Sequence, residues 1–130
     1  MRNYSGEWVI FDARDEDGSG NAFYIKDYRH VVVVISGNLA DLVIKAAGAI
    51  SEETPDWLDT PSASNPYSFV QMRDYEDNSA VNGDTGITFG GSGDVSMLEI
   101  NTNGLVWLNF IVSDYNAGSV TVKAVGFNDS

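Results

Sequence analysis

A short acidic segment near the start of the chain has the residue types and spacing of a calcium loop. Asp15, Asp17 and Ser19 place side-chain oxygens at alternate positions, and Gly20 follows where such a loop turns sharply. The twelfth position, which normally supplies a bidentate carboxylate, is Lys26. Without that ligand, too little negative charge compensates for dehydration of the ion. We therefore predict an acidic turn and no tight metal site, with these three residues as weak candidate ligands.

Other residue types that could carry catalysis have no supporting pattern. The chain has no cysteine and one histidine, His30, so a thiol dyad and a histidine triad around a metal are excluded. No Gly-x-Ser-x-Gly motif marks a nucleophilic serine. A second acidic cluster has no diagnostic spacing and is typical of a solvated loop; it consists of Asp74, Glu76, Asp77 and Asp84. We predict no catalytic residues, no cofactor and no enzymatic activity.

Three aromatic residues, Trp57, Tyr67 and Tyr75, lie in or beside segments that we predict to be loops. Exposed rings near carboxylates and amides can stack on sugars, as they do in carbohydrate-binding modules. The same rings can instead plug the ends of a β-sandwich, and the sequence favours this packing role.

The charge of the chain restricts its partners. Nineteen acidic and seven basic residues give a formal net charge of −12. Nucleic acids require Lys and Arg to displace counterions, and anionic membranes repel acidic proteins, so we expect neither partner. The first seven residues lack the apolar region of a secretory signal. The longest apolar run, Val31 to Ile35, is far shorter than the roughly twenty residues that span a bilayer.

The clearest local pattern lies in the last third of the chain. Met97–Asn101 and Leu105–Val112 are β-prone runs that flank Thr102–Gly104, which contains an Asn-Gly pair. This pattern predicts a β-hairpin. A third run, Ser119–Val125, would follow the loop at residues 113–118 and complete a meander. Side-chain alternation predicts that this part of the core contains Val106, Leu108, Phe110, Val120 and Val122.

Earlier segments add further short strands, which are Trp8–Phe11, Ala22–Lys26, Arg29–Ser36, Asp41–Ala47, Tyr67–Arg73 and Ile87–Phe89. A turn is predicted at Ser36–Asn38, and a helix over Leu39–Ala47 is the alternative to a strand there. All three prolines lie in Ser51–Pro66, which we predict to be a structured surface loop. The regular spacing of short strands and turns along the chain predicts an all-β, antiparallel β-sandwich or jelly-roll-like fold of about eight to nine strands. Residues 1–130 form one domain, with residues 1–21 as a candidate N-terminal arm.

Two of the predicted strands, Val31–Ile35 and Leu105–Val112, are apolar on both faces. A two-layer sandwich covers only the inner face of each sheet, so the outer residues need cover from a loop carrying Trp57 or from another subunit. We expect a homo-oligomer, most simply a trimer. The candidate contact residues are Trp8, Ile10, Phe11, Trp107 and Ile111.

The chain resembles small structural proteins of tailed bacteriophages, the β-sandwich accessory proteins that decorate or cement the capsid. The segments that carry the resemblance are residues 20–32, 50–56, 84–87, 98–109 and 117–122. The resemblance spans most of the chain from about Gly18 onward. It implies a non-enzymatic virion component, often trimeric, that is assembled in the host cytoplasm and binds the major capsid protein or other virion subunits. The alternative is a carbohydrate-binding module, or a tail, neck or fibre component that contacts the host surface.

Overall fold

The computed structural model describes residues 2–91, 95–102 and 104–129, and the side chains of residues 6–127 within these ranges. Asn103 of the predicted Asn-Gly turn lies outside the described residues, as do residues 92–94. Met1 and Ser130, the ends of the predicted domain, also lie outside them.

The described residues form strands, turns and irregular segments, without a helix. The strands are β1 (Arg2–Arg14), β2 (Gly18–Ser19), β3 (Phe23–Tyr24), β4 (His30–Ala49), β5 (Ser68–Phe69), β6 (Met72–Asp74), β7 (Ala80–Val81), β8 (Ile87–Phe89), β9 (Ser96–Asn101) and β10 (Trp107–Asp129). All of them pair antiparallel in one ten-stranded sheet, with the main order β1-β10-β4-β9-β6-β7. The all-β prediction is confirmed, and the helical alternative for Leu39–Ala47 is wrong. Among the described residues, no helix could cross a membrane.

Two long strands, β4 with 20 residues and β10 with 23, organise the sheet. Residues 107–113 of β10 pair with residues 43–49 of β4, and residues 119–127 pair with residues 30–38. Both strands therefore run through the places where we predicted a turn at Ser36–Asn38 and a loop at residues 113–118. Those two predictions are wrong, because Gly37 (φ 123°) and Gly118 (φ 101°) bend the strands without ending them.

The predicted hairpin between residues 97–101 and 105–112 does not form, and the meander is wrong for the same reason. Strand β9 pairs with the first half of β4 and not with β10. Because the two long strands pair along nearly their whole lengths, β9 lies on the opposite edge of β4. The side chain of Thr102 is buried there and donates a hydrogen bond to the carbonyl of Tyr28 (3.1 Å). Tertiary pairing therefore overrides the local turn signal.

One hydrophobic core receives side chains from both halves of the long strands. Alternate residues of β4 enter it before and after the bend; they are Val31, Val33, Ile35, Leu42, Ile44 and Ala46. The predicted core residues Leu108, Phe110, Val120 and Val122 are fully buried in the same cluster, as predicted, whereas Val106 is half-buried. The sheet therefore bends around a single core.

The N-terminal segment belongs to this fold. Strand β1 pairs with the second half of β10, and Ile10 and Phe11 are 1% and 3% exposed in the core of the same chain. The proposal that Ile10 and Phe11 contact a neighbouring subunit is therefore corrected, since their apolar surface is already covered. Trp8 remains 43% exposed at the edge of the core, where its ring stacks on Phe23 with the centroids 5.8 Å apart.

Candidate functional site

The outer face of the second half of β4 and the first half of β10 is covered by the chain itself. Trp57 packs there against Ala47, Ala49 and Ile111 in a second hydrophobic cluster. Trp107 joins the edge of this cluster, and its indole N–H donates to the carbonyl of Glu52 (3.3 Å). The loop of residues 50–67, and not another subunit, therefore covers Ile111 and part of Trp107.

This loop has a defined internal structure. The Asn65 side-chain oxygen accepts from the backbone N–H of Asp56 (2.8 Å), and its amide donates to the Asp56 carbonyl (2.9 Å). The Tyr67 hydroxyl donates to the carbonyl of Asp59 (2.6 Å). Tyr67 also packs against Trp57, with ring centroids 5.6 Å apart. These bonds hold the loop as a fixed wall above the sheet.

A groove of about 490 Å³ lies between this loop and the sheet, and we call it the loop groove. Its apolar lining comes from aromatic and aliphatic side chains, which are Trp57, Leu58, Pro61, Tyr67, Phe69, Ile111 and Val112. Its polar lining consists of Asp17, Lys45, Asp59, Thr60 and Ser113. The strand register explains this grouping, because Lys45 lies opposite Ile111 and residue 113 lies opposite Val43 on the same face.

The polar groups of the loop groove have distinct environments. The Lys45 ammonium lies 5.9 Å from the centre of the Phe69 ring. One Asp17 carboxylate oxygen accepts from the backbone N–H of Tyr115 (2.9 Å). Burial, followed by the negative charges of Asp56, Asp59 and Asp84, raises the pKa of Tyr67 above 10.0. The Ser113 hydroxyl oxygen is buried and has no hydrogen-bond partner within the described part of the chain.

The candidate calcium ligands are held by other interactions. Ser19 belongs to β2 and pairs with Ile111, and the Asp17 carboxylate holds the Tyr115 backbone. The Arg14 guanidinium donates to the carbonyls of Glu16 (3.0 Å) and Asp17 (2.5 Å), so it supplies a positive charge inside this turn. Within the residues that the structure describes, no three His, Asp or Glu side chains are grouped as a metal site would require. The absence of a tight calcium site remains a prediction.

The second acidic segment forms turns. Asp74 accepts from the backbone N–H of Glu76 (2.8 Å), and Asp77 accepts from the hydroxyl (2.6 Å) and backbone N–H (3.0 Å) of Ser79. The Ser79 hydroxyl bond, followed by its backbone bond, lowers the pKa of Asp77 below 3.8. These carboxylates therefore have a local structural role, as expected for a solvated loop.

The three aromatic residues that we singled out divide between two places. Trp57 and Tyr67 come together at the loop groove, where Trp57 is buried and has the predicted packing role. Tyr75 lies elsewhere, and its hydroxyl donates to the Glu99 carboxylate (3.3 Å). His30 begins β4 and is half-buried beside a second, polar groove.

Sequence reasoning missed Lys45, Phe69 and Ser113 as members of one site. Each lies on a strand, where nothing local distinguishes it from an ordinary outward-facing residue. One feature of the sequence did indicate a site here, namely the strand at residues 105–112, which is apolar on both faces. Such a strand must be covered on its second face. The sequence did not show which polar residues lie beside that cover.

Comparison with known proteins shows the fold. No protein-family model matches the chain, and no curated protein matches it in sequence. The SPBc2 prophage-derived protein YomS superimposes with a TM-score of 0.74 at 16% identity, over 98% of this chain and 96% of YomS. The chain has the fold of YomS. The PBSX exported protein XepA matches with a TM-score of 0.73 at 13% identity, over 98% of this chain and 38% of XepA, so the chain spans well under half of XepA.

Proposed function

We propose that the chain is a non-enzymatic structural protein of a phage particle, which decorates or cements the capsid through contacts with other virion subunits. The observation that carries this proposal is the match to YomS, a prophage-derived protein, over nearly the whole length of both chains. XepA, the PBSX exported protein, contains a region with the same fold. The resemblance of the segments named in the sequence analysis to phage accessory proteins implies the same function.

A partly exposed apolar surface supports a role in assembly. In the sheet register, Val9 lies opposite Lys123, Lys123 opposite Val34, and Val34 opposite Met97. Residues paired in this way point to the same side of the sheet. Val9 and Met97 are 39% and 45% exposed, and Val34 is half-buried. We call this row, with the adjacent Val32 and Val125, the outer valine face.

The outer valine face is the surface that we propose for contacts between subunits. It replaces Trp107 and Ile111, which lie beneath the loop of residues 50–67. Trp8, which was also predicted as a contact residue, remains a candidate because nearly half of its side chain is exposed. We propose a homo-oligomer, most simply a trimer, whose partner in the particle is the major capsid protein or another virion subunit.

Mass spectrometry of purified phage particles tests this function. Particles prepared from a phage that encodes the chain, and washed in high salt, should contain it in a fixed copy number relative to the major capsid protein. Particles from a deletion mutant should lose it, and their heads should break at a lower temperature. A chain that is produced in infected cells but is absent from washed particles would contradict the proposal.

A further inference from the structure

We propose that the loop groove is a binding site for a neutral saccharide, a function separate from the proposed subunit contacts. Its volume of about 490 Å³ lies within the range of sites that hold small organic ligands. Such sites combine a mostly apolar lining with a few placed polar groups, and the loop groove has both. The proposal depends on the nature of those two linings.

The apolar lining suits the faces of a sugar ring. Tyr67 and Phe69 meet edge to face, with ring centroids 5.8 Å apart, and both side chains are only partly buried. Both line the groove next to Ile111. The C–H groups on one face of a pyranose pack against an apolar surface of this kind, as apolar ligands do against aromatic walls.

The polar lining suits hydroxyl groups rather than charged ones. Each carboxylate already accepts one backbone N–H, Asp17 from Tyr115 (2.9 Å) and Asp59 from Thr60 (2.9 Å). These bonds fix the carboxylates, and the second oxygen of each has no other partner among the described residues. Carboxylate oxygens accept hydrogen bonds from hydroxyl donors, whereas the Lys45 ammonium donates to hydroxyl oxygens. A sugar hydroxyl both donates and accepts, so it can bond to either type.

Ser113 also lines the groove, but its hydroxyl oxygen is buried and has almost no surface that a ligand in the groove could reach, so the proposal rests on the other lining residues.

The net charge of the loop groove determines which saccharides can bind there. Two carboxylates against one ammonium leave the groove with a net negative charge, on a chain whose formal net charge is −12. Uronic acids, sialic acids and phosphorylated glycans are therefore repelled. Neutral hexoses and N-acetylhexosamines carry no such penalty, and they define the ligand class that we propose.

The test is a nuclear magnetic resonance titration of the full chain with glucose, galactose, N-acetylglucosamine and their short oligosaccharides, with glucuronic acid as the charged comparison. We expect saturable shifts of backbone amides around Lys45, Phe69 and Ser113 at millimolar concentrations of at least one neutral sugar. Glucuronic acid should bind at least tenfold more weakly. Shifts confined to another region, or no saturable shift with any neutral sugar, would overturn the proposal.

Two variants separate binding from folding. Lys45→Ala removes the ammonium that donates to sugar hydroxyls, so it should weaken sugar binding by about tenfold, a difference of about 1.4 kcal/mol, while the protein stays folded. Gln71→Ala is the control, because Gln71 is exposed and lies outside the groove. Sugar affinity that is unchanged in Lys45→Ala would also overturn the proposal.

Discussion

Phe110 is the largest of the fully buried side chains of the core. Its burial follows from the alternation of side chains along β10. Its neighbours in the same cluster come from both halves of β4, so the ring helps to hold the bent sheet together. Interior side chains are packed closely, and a cavity left by a missing ring is only partly refilled. A substitution at this residue therefore reports on the whole fold.

Phe110→Ala should lower the free energy of unfolding by about 3–5 kcal/mol. Chemical denaturation followed by far-ultraviolet circular dichroism measures the change. Ile50→Ala is the matched control, because Ile50 is 71% exposed, and it should change the stability by less than about 0.5 kcal/mol. An equal effect of the two substitutions would show that the described core is wrong.

Tyr67 gives the molecule a pH dependence in the alkaline range. Burial and nearby carboxylates raise its pKa in the folded state above 10.0, the value for an exposed tyrosine. Below the unfolded pKa the hydroxyl is protonated in both states, and its contribution to stability is complete. As the pH rises further, the unfolded chain loses the proton first, so this contribution is lost as the pH passes through the folded pKa.

We expect the urea midpoint of the wild type to fall more steeply than that of Tyr67→Phe above about pH 10. The two proteins differ only at this residue, so the difference between the two curves reports Tyr67. In an ultraviolet titration, the phenolate signal that the variant lacks should develop above pH 10. Parallel stability curves above pH 10 would contradict the described environment of Tyr67.

At the scale of elements, the bend in β4 and β10 decides the architecture. Gly37 lies opposite Val120 and Gly118 lies close to Asn38 at this bend, and both glycines have positive φ angles. A Cβ atom on Gly118 would lie 2.1 Å from the Asn38 carbonyl oxygen, and one on Gly37 would lie 2.7 Å from the Ser119 carbonyl oxygen. Both contacts are with backbone, which cannot rotate away.

Gly118→Ala should destabilise the fold by about 2–4 kcal/mol, from backbone strain together with the clash. Gly90→Ala is the control, since a Cβ there meets no atom within 4 Å. Thermal unfolding of both variants, compared with the wild type, measures the difference. The explanation for the bend fails if Gly118→Ala melts at the same temperature as the control.

The loop of residues 50–67 is the second element whose placement matters. Trp57 anchors it on Ala47, Ala49 and Ile111. Trp57→Ala should cost about 3 kcal/mol and should release the loop from the sheet. Limited proteolysis should then cut within this loop, whereas Leu58→Ala, at an adjacent residue that is 64% exposed, should leave it resistant. Identical digestion of the two variants would show that Trp57 does not anchor the loop.

At the scale of the whole molecule, the two outer faces of the sheet differ in how far the chain itself buries them. The loop covers one outer face, whereas the outer valine face is only partly buried within the chain. A strongly acidic chain repels its own copies, but interface centres are depleted of charge and salt screens the remainder. Association through the outer valine face should therefore rest on Val9, Val34 and Met97 around the exposed Lys123, with the acidic turns at the rim.

Met97→Asp should convert the proposed oligomer into a monomer while the melting temperature of the monomer fold is retained. Light scattering at micromolar concentration measures the mass. Ile50→Asp should leave the oligomer intact, because Ile50 lies on the loop side of the molecule. In contrast, Trp107→Asp should unfold the protein, since Trp107 lies beneath the loop. A wild-type chain that is monomeric under these conditions would remove the basis for this interface.

The sequence by itself determined the class of the fold and the part of the core that comes from the last strand. Alternation of apolar residues, which is a local property of an extended chain, was enough to predict Leu108, Phe110, Val120 and Val122 as buried. Residues 105–112 were also predicted to need cover on a second face, and the loop of residues 50–67 supplies it, whereas the same expectation for Val31 to Ile35 stays a prediction. The charge and the absence of cysteine, which depend on composition alone, could be read directly.

Only the tertiary structure decided how the strands connect and where the groove lies. The Asn-Gly turn predicted a hairpin, but β4 outcompetes that local pairing because it offers β9 and β10 one edge each over many residues. The glycines at residues 37 and 118 are compatible with turns as well as with bends, and only the pairing of β4 with β10 on both sides of them shows that they lie within continuous strands. Lys45, Phe69 and Ser113 are far apart in sequence, and the register of three strands brings them to one groove. Long-range pairing, which no local pattern encodes, therefore determined the site.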